Sequence, residues 1–217
     1  MREFVLVTGI VLKTSNLGEF DKRMVLLTKE RGKITVFARG ARRQNSRFMA
    51  VCNPFSFGEF KLFEGRSAYN LMEASISNYF ENLRNDLEAA CYGQYFLEVA
   101  DYYGRENNDE VMLLKLLYQS LRALSNEKLD NCLIRYIFEL KSLVVNGEFP
   151  GIPSEHNYLE ATVYTIEFIE QVSIEKLYTF TVSSGVLSEL SYIAKNYCSR
   201  FMNGNFKSLS VLEGLLI

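Results

Sequence analysis

Apolar and polar residues alternate in short runs through residues 1–80. Branched and aromatic residues at every second position predict β-strands. The predicted strands are Phe4–Leu12, Lys22–Thr28, Lys33–Ala38, Phe55–Phe63 and Ala68–Ile76. Turn residues separate the strands, with a loop predicted at Lys13–Gly18 and a tight turn that ends at Gly32, where glycine supplies a positive φ. Five short strands in about 75 residues predict a small closed barrel.

After residue 80 the apolar residues recur every three or four positions, which predicts amphipathic helices. Helices are predicted at Leu83–Tyr103, Glu110–Leu124 and Leu129–Val145, with a last helix capped by Ser183 or Ser184. The third helix should end near Asn146-Gly147, because glycine favours helix termination and prolines follow. Short strands are predicted at Thr162–Ile166 and Tyr178–Val182. The predicted fold class is therefore α+β, with a barrel domain over residues 1–80 and a mainly helical domain over residues 81–217.

The stretch from Lys33 to Arg47 is basic and contains no carboxylate. Alternation along its strand places Phe37 on the outer face, with cations on either side. Guanidinium groups suit phosphate oxygens, and an outward phenyl ring offers a platform for a base. The candidate nucleic-acid-binding residues are Lys33, Phe37, Arg39, Arg42, Arg43 and Arg47, together with Lys13 and Arg66; Lys22 and Arg23 are further candidates. A solvated basic loop beside a strand whose phenylalanine packs under a second domain is the alternative interpretation.

Charge is distributed unevenly along the 217 residues. The net charge is only -2, and 48% of the residues are apolar, which is ample for a packed core. Residues 1–80 hold thirteen Lys and Arg against seven Asp and Glu, a net of +6, whereas residues 81–217 hold eleven against nineteen, a net of -8. This asymmetry predicts two parts with different electrostatic roles.

The four cysteines lie far apart, and no C-x-x-C pair occurs, so no zinc or redox motif is present. Three of them fall in apolar stretches and are predicted to be small buried hydrophobic residues. The N-terminus lacks a signal-peptide pattern, and no apolar run is long enough to span a bilayer. We therefore expect a reduced, cytoplasmic protein without a membrane role.

The sequence also lacks recognisable catalytic chemistry. The lone His156 lies in a polar loop without a nucleophile motif nearby, and no Gly-rich phosphate loop occurs. The many carboxylates after residue 80 are typical of a solvated acidic surface. We predict no catalytic residues, no metal, no cofactor and no small-molecule substrate.

The order and spacing of several short motifs resemble those of the RecO family of bacterial recombination mediators. The matching positions are Gly9-Ile10-Val11-Leu12, Gly18-Glu19 with Asp21, Thr28 with Gly32-Lys33, Gly40-Ala41-Arg42-Arg43, Ser46-Arg47-Phe48, Pro54-Phe55 with Glu59-Phe60, Arg84 with Asp86-Leu87, Phe138-Glu139-Leu140-Lys141 and Lys207-Ser208. The resemblance implies an N-terminal OB-fold barrel and a helical C-terminal domain. It also implies binding of single- and double-stranded DNA, strand annealing, and partnership with RecR and the single-strand-binding protein in DNA repair and recombination at the nucleoid.

One segment departs from that family. Many members carry a four-cysteine zinc module before the last long helix, but residues 146–182 contain no cysteine. His156 alone supplies at most one ligand of the four that zinc prefers. We therefore expect that the zinc module is lost, that purified protein holds no stoichiometric zinc, and that other packing holds this insert in place.

Three functional interpretations remain open at this stage. The first is a DNA-annealing mediator that acts through Arg39–Arg47. The second is a protein-binding adaptor, in which the basic barrel receives an acidic partner peptide and has little affinity for DNA alone. The third is an RNA-binding barrel, because charge alone does not distinguish the two nucleic acids.

Overall fold

The computed structural model describes residues 4–65, 68–153 and 157–215. Contacts divide the chain into two compact units. The barrel unit takes the described residues up to Glu81 together with Ala100–Leu114, and the helical unit takes Asn82–Val99 together with those from Lys115 onward. The barrel unit thus includes a segment that lies beyond the sequence-based boundary at residue 80, and that boundary stays a prediction.

The barrel unit contains the five-stranded closed barrel predicted from the alternating pattern. Its strands are β1 (Phe4–Leu17), β2 (Asp21–Thr28), β3 (Gly32–Ala38), β4 (Phe57–Glu64) and β5 (Tyr69–Asn78). They pair in the order β1-β2-β3-β5-β4, and β4 also pairs with β1 to close the barrel. The pairs are antiparallel except for the short parallel contact between β3 and β5.

The first strand is longer than predicted, because different parts of it pair with two different strands. Residues Phe4–Ile10 pair with β4, and Gly9–Leu17 pair with β2. An irregularity between Val11 and Lys13 shifts the register within the β1–β2 pair. The predicted loop at Lys13–Gly18 is therefore wrong up to Leu17, since pairing with β2 provides hydrogen bonds that the polar local sequence did not indicate.

The interior of the barrel is filled by inward-facing residues of all five strands. On β3 the predicted alternation is confirmed: Ile34, Val36 and Ala38 are buried, whereas Lys33 and Phe37 on the outer face are half-buried. The remaining core residues include Val7, Val11, Met24, Leu26, Phe60, Leu62, Tyr69 and Leu71. This alternation fixes which side chains of β3 are available at the surface.

Gly32 ends the tight turn before β3 and is the first residue of that strand, with a φ of 64° as predicted. A Cβ atom here would lie 2.2 Å from the carbonyl oxygen of Arg105. The amide of Lys33 donates a hydrogen bond to the same carbonyl at 2.9 Å. The segment Ala100–Leu114 therefore packs directly on this turn, and only glycine fits between them.

The described residues after β5 form helices. They are α1 (Glu81–Asn85), α2 (Leu87–Tyr103), α3 (Val111–Leu124), α4 (Asn131–Val145), α5 (Glu160–Gln171), α6 (Ser184–Phe201) and α7 (Lys207–Leu215), with a 3-10 helix at Ile174–Lys176. The predicted helix at Leu83–Tyr103 is divided, because the Asp86 side chain caps the start of α2 by accepting from the amide of Ala89 at 3.1 Å. None of these helices is long and apolar enough to cross a membrane.

Local signals predicted two helix ends correctly. Asn146 ends α4, and Gly147 follows with a φ of 70°. The Ser183 hydroxyl caps α6 by accepting a hydrogen bond from the amide of Val186. The short helix α7 was not predicted.

The insert that follows α4 is helical and not a pair of strands. The predicted strand at Thr162–Ile166 is wrong because these residues lie within α5, whose buried positions recur every three or four residues. Tyr178–Val182 has no regular secondary structure. β-Branched residues favoured strands locally, but packing of α5 against α4 and α6 determined the outcome.

Lys141 is the main polar anchor of this insert. Its buried ammonium donates hydrogen bonds to the carbonyl oxygens of Ile169, Glu170 and Val172, each at 2.8 Å. These groups lie at the C-terminal end of α5, where helix carbonyls lack intrahelical partners and the helix dipole favours a cation. Burial lowers the pKa of Lys141.

The described residues show no cluster of three metal-ligating side chains. His156 lies outside them, and the expectation of a zinc-free protein stays a prediction. Cys52 is fully buried in the barrel, but Cys91, Cys132 and Cys198 are only half-buried. The prediction of three buried cysteines therefore overestimated their burial.

Candidate nucleic-acid interface

The segment between β3 and β4, residues 39–56, is named the arginine loop. It is a series of turns held by backbone hydrogen bonds such as Arg43 N to Gly40 O and Ser46 N to Arg43 O, both 3.1 Å. Its residues Ala41, Val51 and Cys52 are buried in the barrel core. Because the backbone is anchored from inside, the loop holds its exposed side chains on a fixed support.

The arginine loop is strongly cationic. It contains four arginines and neither aspartate nor glutamate, so its formal charge is +4. All four guanidinium-bearing residues are exposed, namely Arg39, Arg42, Arg43 and Arg47. The four arginines that the sequence analysis predicted thus lie in one loop and are accessible to an anionic ligand.

Arg42 and Arg43 are supported by the turn between β1 and β2. The Arg42 Nη1 donates to the carbonyl oxygen of Gly18 at 2.9 Å. The Arg43 guanidinium carbon lies 5.3 Å from the centroid of the Phe20 ring, which is 43% exposed. Since a guanidinium has five N–H donors, these contacts orient the two arginines and leave donors for phosphate oxygens.

Arg39 and Arg47 lie at a separate cavity of about 480 Å³. Arg47 Nη2 donates to the carbonyl oxygen of Met72 at 2.8 Å, and its guanidinium carbon is 4.8 Å from the centroid of the Phe48 ring. The other residues that line this cavity are Phe4, Phe63, Asn70, Leu71 and Met72. This arrangement combines positive charge with aromatic and apolar surface, which suits both a nucleotide and an acidic peptide with an apolar side chain.

Phe37 lies on the outer face of β3, as predicted. It is directly opposite Arg23 on β2 and Asn70 on β5. The ring is half-buried, so one part of its surface remains open to solvent. Its neighbour across the β2–β3 pair is a cation that the sequence analysis named only as a further candidate.

Lys13 and Lys33 are not grouped with the arginines. Their ammonium groups flank the Asp101 carboxylate, with distances of 2.6 Å and 3.3 Å to its two oxygens. Burial raises the pKa of Asp101, but the two lysines outweigh this effect and lower it below its ordinary value. Part of their positive charge is therefore neutralised within the barrel unit. Arg66 lies outside the described residues.

The sequence analysis missed the aromatic residues that accompany the arginines. Phe48 directly follows Arg47 in the chain, so adjacency was an available signal. Phe20 lies on another turn of the barrel and carried no such signal. Only the folded barrel places its ring beneath Arg43.

Two family models match the chain in the expected order. The model described as "Recombination protein O N terminal" matches residues 1–80, and "Recombination protein O C terminal" matches residues 84–155. The first covers the five strands and the arginine loop. The chain belongs to the RecO family. The second match ends before α5, so the cysteine-free insert after residue 155 lies outside both models.

Curated RecO proteins show the same relationship. The DNA repair protein RecO of Acetivibrio thermocellus is 26% identical over 244 residues, which covers 98% of this chain and 97% of that protein. The RecO of Alkaliphilus metalliredigens is 36% identical over 146 residues, which covers 67% of this chain and 59% of that protein. The RecO of Bacillus pumilus is 39% identical over 144 residues, which covers 66% of this chain and 56% of that protein. This chain is thus a RecO-family DNA repair protein with an OB-like barrel.

Proposed function

We propose that this RecO-family protein is a DNA-annealing mediator. It binds single- and double-stranded DNA, anneals complementary strands, and helps to load recombinase with RecR on strands covered by single-strand-binding protein. The observation that carries the proposal is the arginine loop, which presents four exposed arginines without a carboxylate on a barrel that anchors it. The barrel domain then supplies most of the affinity for nucleic acid.

Annealing by such a surface requires no covalent chemistry. Arginines neutralise the phosphates of two strands and lower their mutual repulsion, and base pairing supplies the driving free energy. Phosphate contacts carry no base information, so strands of any sequence are accepted. We therefore propose that the protein is not an enzyme and that it needs no cofactor.

Two groups of residues divide this work in the proposal. Arg42 and Arg43, beside Phe20, hold the backbone of one strand segment. Arg39 and Arg47 hold phosphates at the mouth of the apolar cavity, where Phe48 offers a surface to a base. Phe37 remains a proposed stacking position on the adjoining face of the barrel. Lys13 and Lys33 contribute less than the arginines to DNA binding, because their ion pairs with Asp101 partly neutralise their charges.

A protein-binding adaptor is the second candidate function. The cavity beside Arg39 and Arg47 favours it, because cations next to an apolar pocket also suit an acidic peptide with a large apolar side chain. The two functions differ in whether the isolated protein binds naked DNA. They also differ in whether an acidic peptide competes for the arginines.

Titration of fluorescein-labelled single-stranded DNA with the full-length protein tests the proposal. Replacing Arg42 and Arg43 by alanine should weaken binding of unrelated sequences alike and slow annealing of complementary strands. A matched control removes two exposed cations from α6, Lys195 and Arg200, and should leave binding nearly unchanged. Absence of binding by the unmodified protein, together with capture of a labelled acidic peptide, would favour the adaptor instead.

A further inference from the structure

The helical unit contains an open groove of about 700 Å³ that the proposed function does not use. It lies between α5, the start of α6 and the irregular segment that precedes α6. The Phe168 and Phe180 rings line it and contact each other edge to face, with centroids 5.2 Å apart. Tyr164 also lines the groove and is 70% exposed. Apolar surface of this extent is available to a ligand.

The surroundings of this groove are acidic. Residues 157–194 contain five glutamates and one lysine, and α5 has three glutamates without a basic residue. Glu160 lines the groove. Glu167 follows Tyr164 by three residues, so Glu167 and Tyr164 lie on the same side of α5. The groove therefore favours a cationic ligand and disfavours the phosphate backbone of nucleic acid.

The backbone beside the groove offers a second kind of contact. The amides of Phe180, Thr181 and Val182 donate to no acceptor among the residues that the structure describes. In Tyr178–Val182 threonine alternates with aromatic and apolar residues, which is why a strand was predicted there. An extended segment from another chain can pair with such a backbone while its alternate side chains enter the groove.

We propose that this acidic groove binds an extended segment of a partner protein in which lysine or arginine adjoins a large apolar side chain. The apolar side chain packs against Tyr164, Phe168 and Phe180. The cation lies near Glu160 and Glu167. This site lies in the cysteine-free insert and shares no residue with the arginine loop, so the protein can hold a basic partner and DNA through different surfaces.

The test uses the full-length protein without DNA and a fluorescein-labelled peptide of about eight residues in which Lys alternates with Val and Phe. A second peptide with Glu in place of Lys measures the charge requirement. The lysine peptide should bind and the glutamate peptide should not. Because its side chain is exposed, Tyr164→Ala should retain the fold, and Glu160→Lys reverses one charge at the groove.

Each of these two substitutions should weaken binding of the lysine peptide by about tenfold, because each removes a direct contact at the centre of the site. Matched controls are Tyr192→Ala on α6 and Glu127→Lys, which alter exposed residues outside the groove and should change binding less than twofold. Melting curves of all four variants should overlay that of the unmodified protein.

Four results would overturn the proposal. Equal binding of the two peptides would show that charge does not select the ligand, and binding of neither would show that no such segment is recognised. Full affinity in the Tyr164→Ala variant would place the peptide elsewhere. Concentration-dependent self-association that is lost in the same variant would identify a second copy of this chain as the occupant.

Discussion

Replacing Arg42 and Arg43 by alanine tests the electrostatic role of the arginine loop. If its four exposed arginines each displace one counterion from single-stranded DNA, log K should fall with log salt at a slope of about -3, since each contact contributes about -0.7. Between about 50 mM and 200 mM salt, affinity should then fall about fiftyfold. The double variant retains two arginines, so its slope should be about -1.4 and the same change in salt should cost about sevenfold.

Fluorescence anisotropy of a labelled oligothymidine, titrated at several salt concentrations, measures both slopes. The double alanine variant loses the Arg42 contact to Gly18 and the Arg43 contact to Phe20, both at the surface, so we expect a loss of stability of about 1 kcal/mol at most. A melting curve checks this expectation. The variant without Lys195 and Arg200 carries the same net charge and should keep the original slope.

An unchanged slope in the Arg42 and Arg43 variant would refute this assignment of the phosphate contacts. The phosphates would then be held elsewhere, and Lys22 and Arg23 would be the next candidates, followed by Lys13. An equal loss of slope in the α6 control would show that net charge, rather than the arginine loop, controls binding.

Three further predictions concern single residues. Phe37→Ala should lose about 1–3 kcal/mol of DNA binding for each stacked base while keeping the salt slope, and full affinity in a folded variant would exclude stacking. Lys141→Met should lower the free energy of unfolding in urea by about 3 kcal/mol, because the carbonyl oxygens of Ile169, Glu170 and Val172 lose their common donor; a change under about 0.5 kcal/mol would contradict this. Because the pKa of Asp101 is lowered by folding, this carboxylate contributes stability at pH values above its ordinary pKa of 3.8. That contribution is lost as the pH falls through the lower pKa of the folded state. Asp101→Asn should therefore destabilise the protein at neutral pH, with a difference that shrinks in acid; a difference independent of pH would argue against the ion pairs.

Some features of this protein followed from local sequence. The alternation in β3 predicted which residues are buried, because successive side chains of a strand point to opposite faces. Asn146 and Gly147 predicted the end of α4, and Ser183 the start of α6, because capping involves only neighbouring residues. The four arginines of the arginine loop could also be predicted as a group, because they lie within nine consecutive residues.

Other features were decided only by the tertiary structure. Residues 13–17 extend β1 because β2 pairs with them, and Thr162–Ile166 is helical because α5 packs on α4 and α6. Lys13 and Lys33 meet Asp101, which is far away in sequence, and Phe20 supports Arg43 across two turns of the barrel. Each of these contacts joins residues that local periodicity treats independently. The fold determines which distant groups form backbone pairs, ion pairs and buried contacts. It therefore also determined which of the predicted cations remain accessible to a ligand.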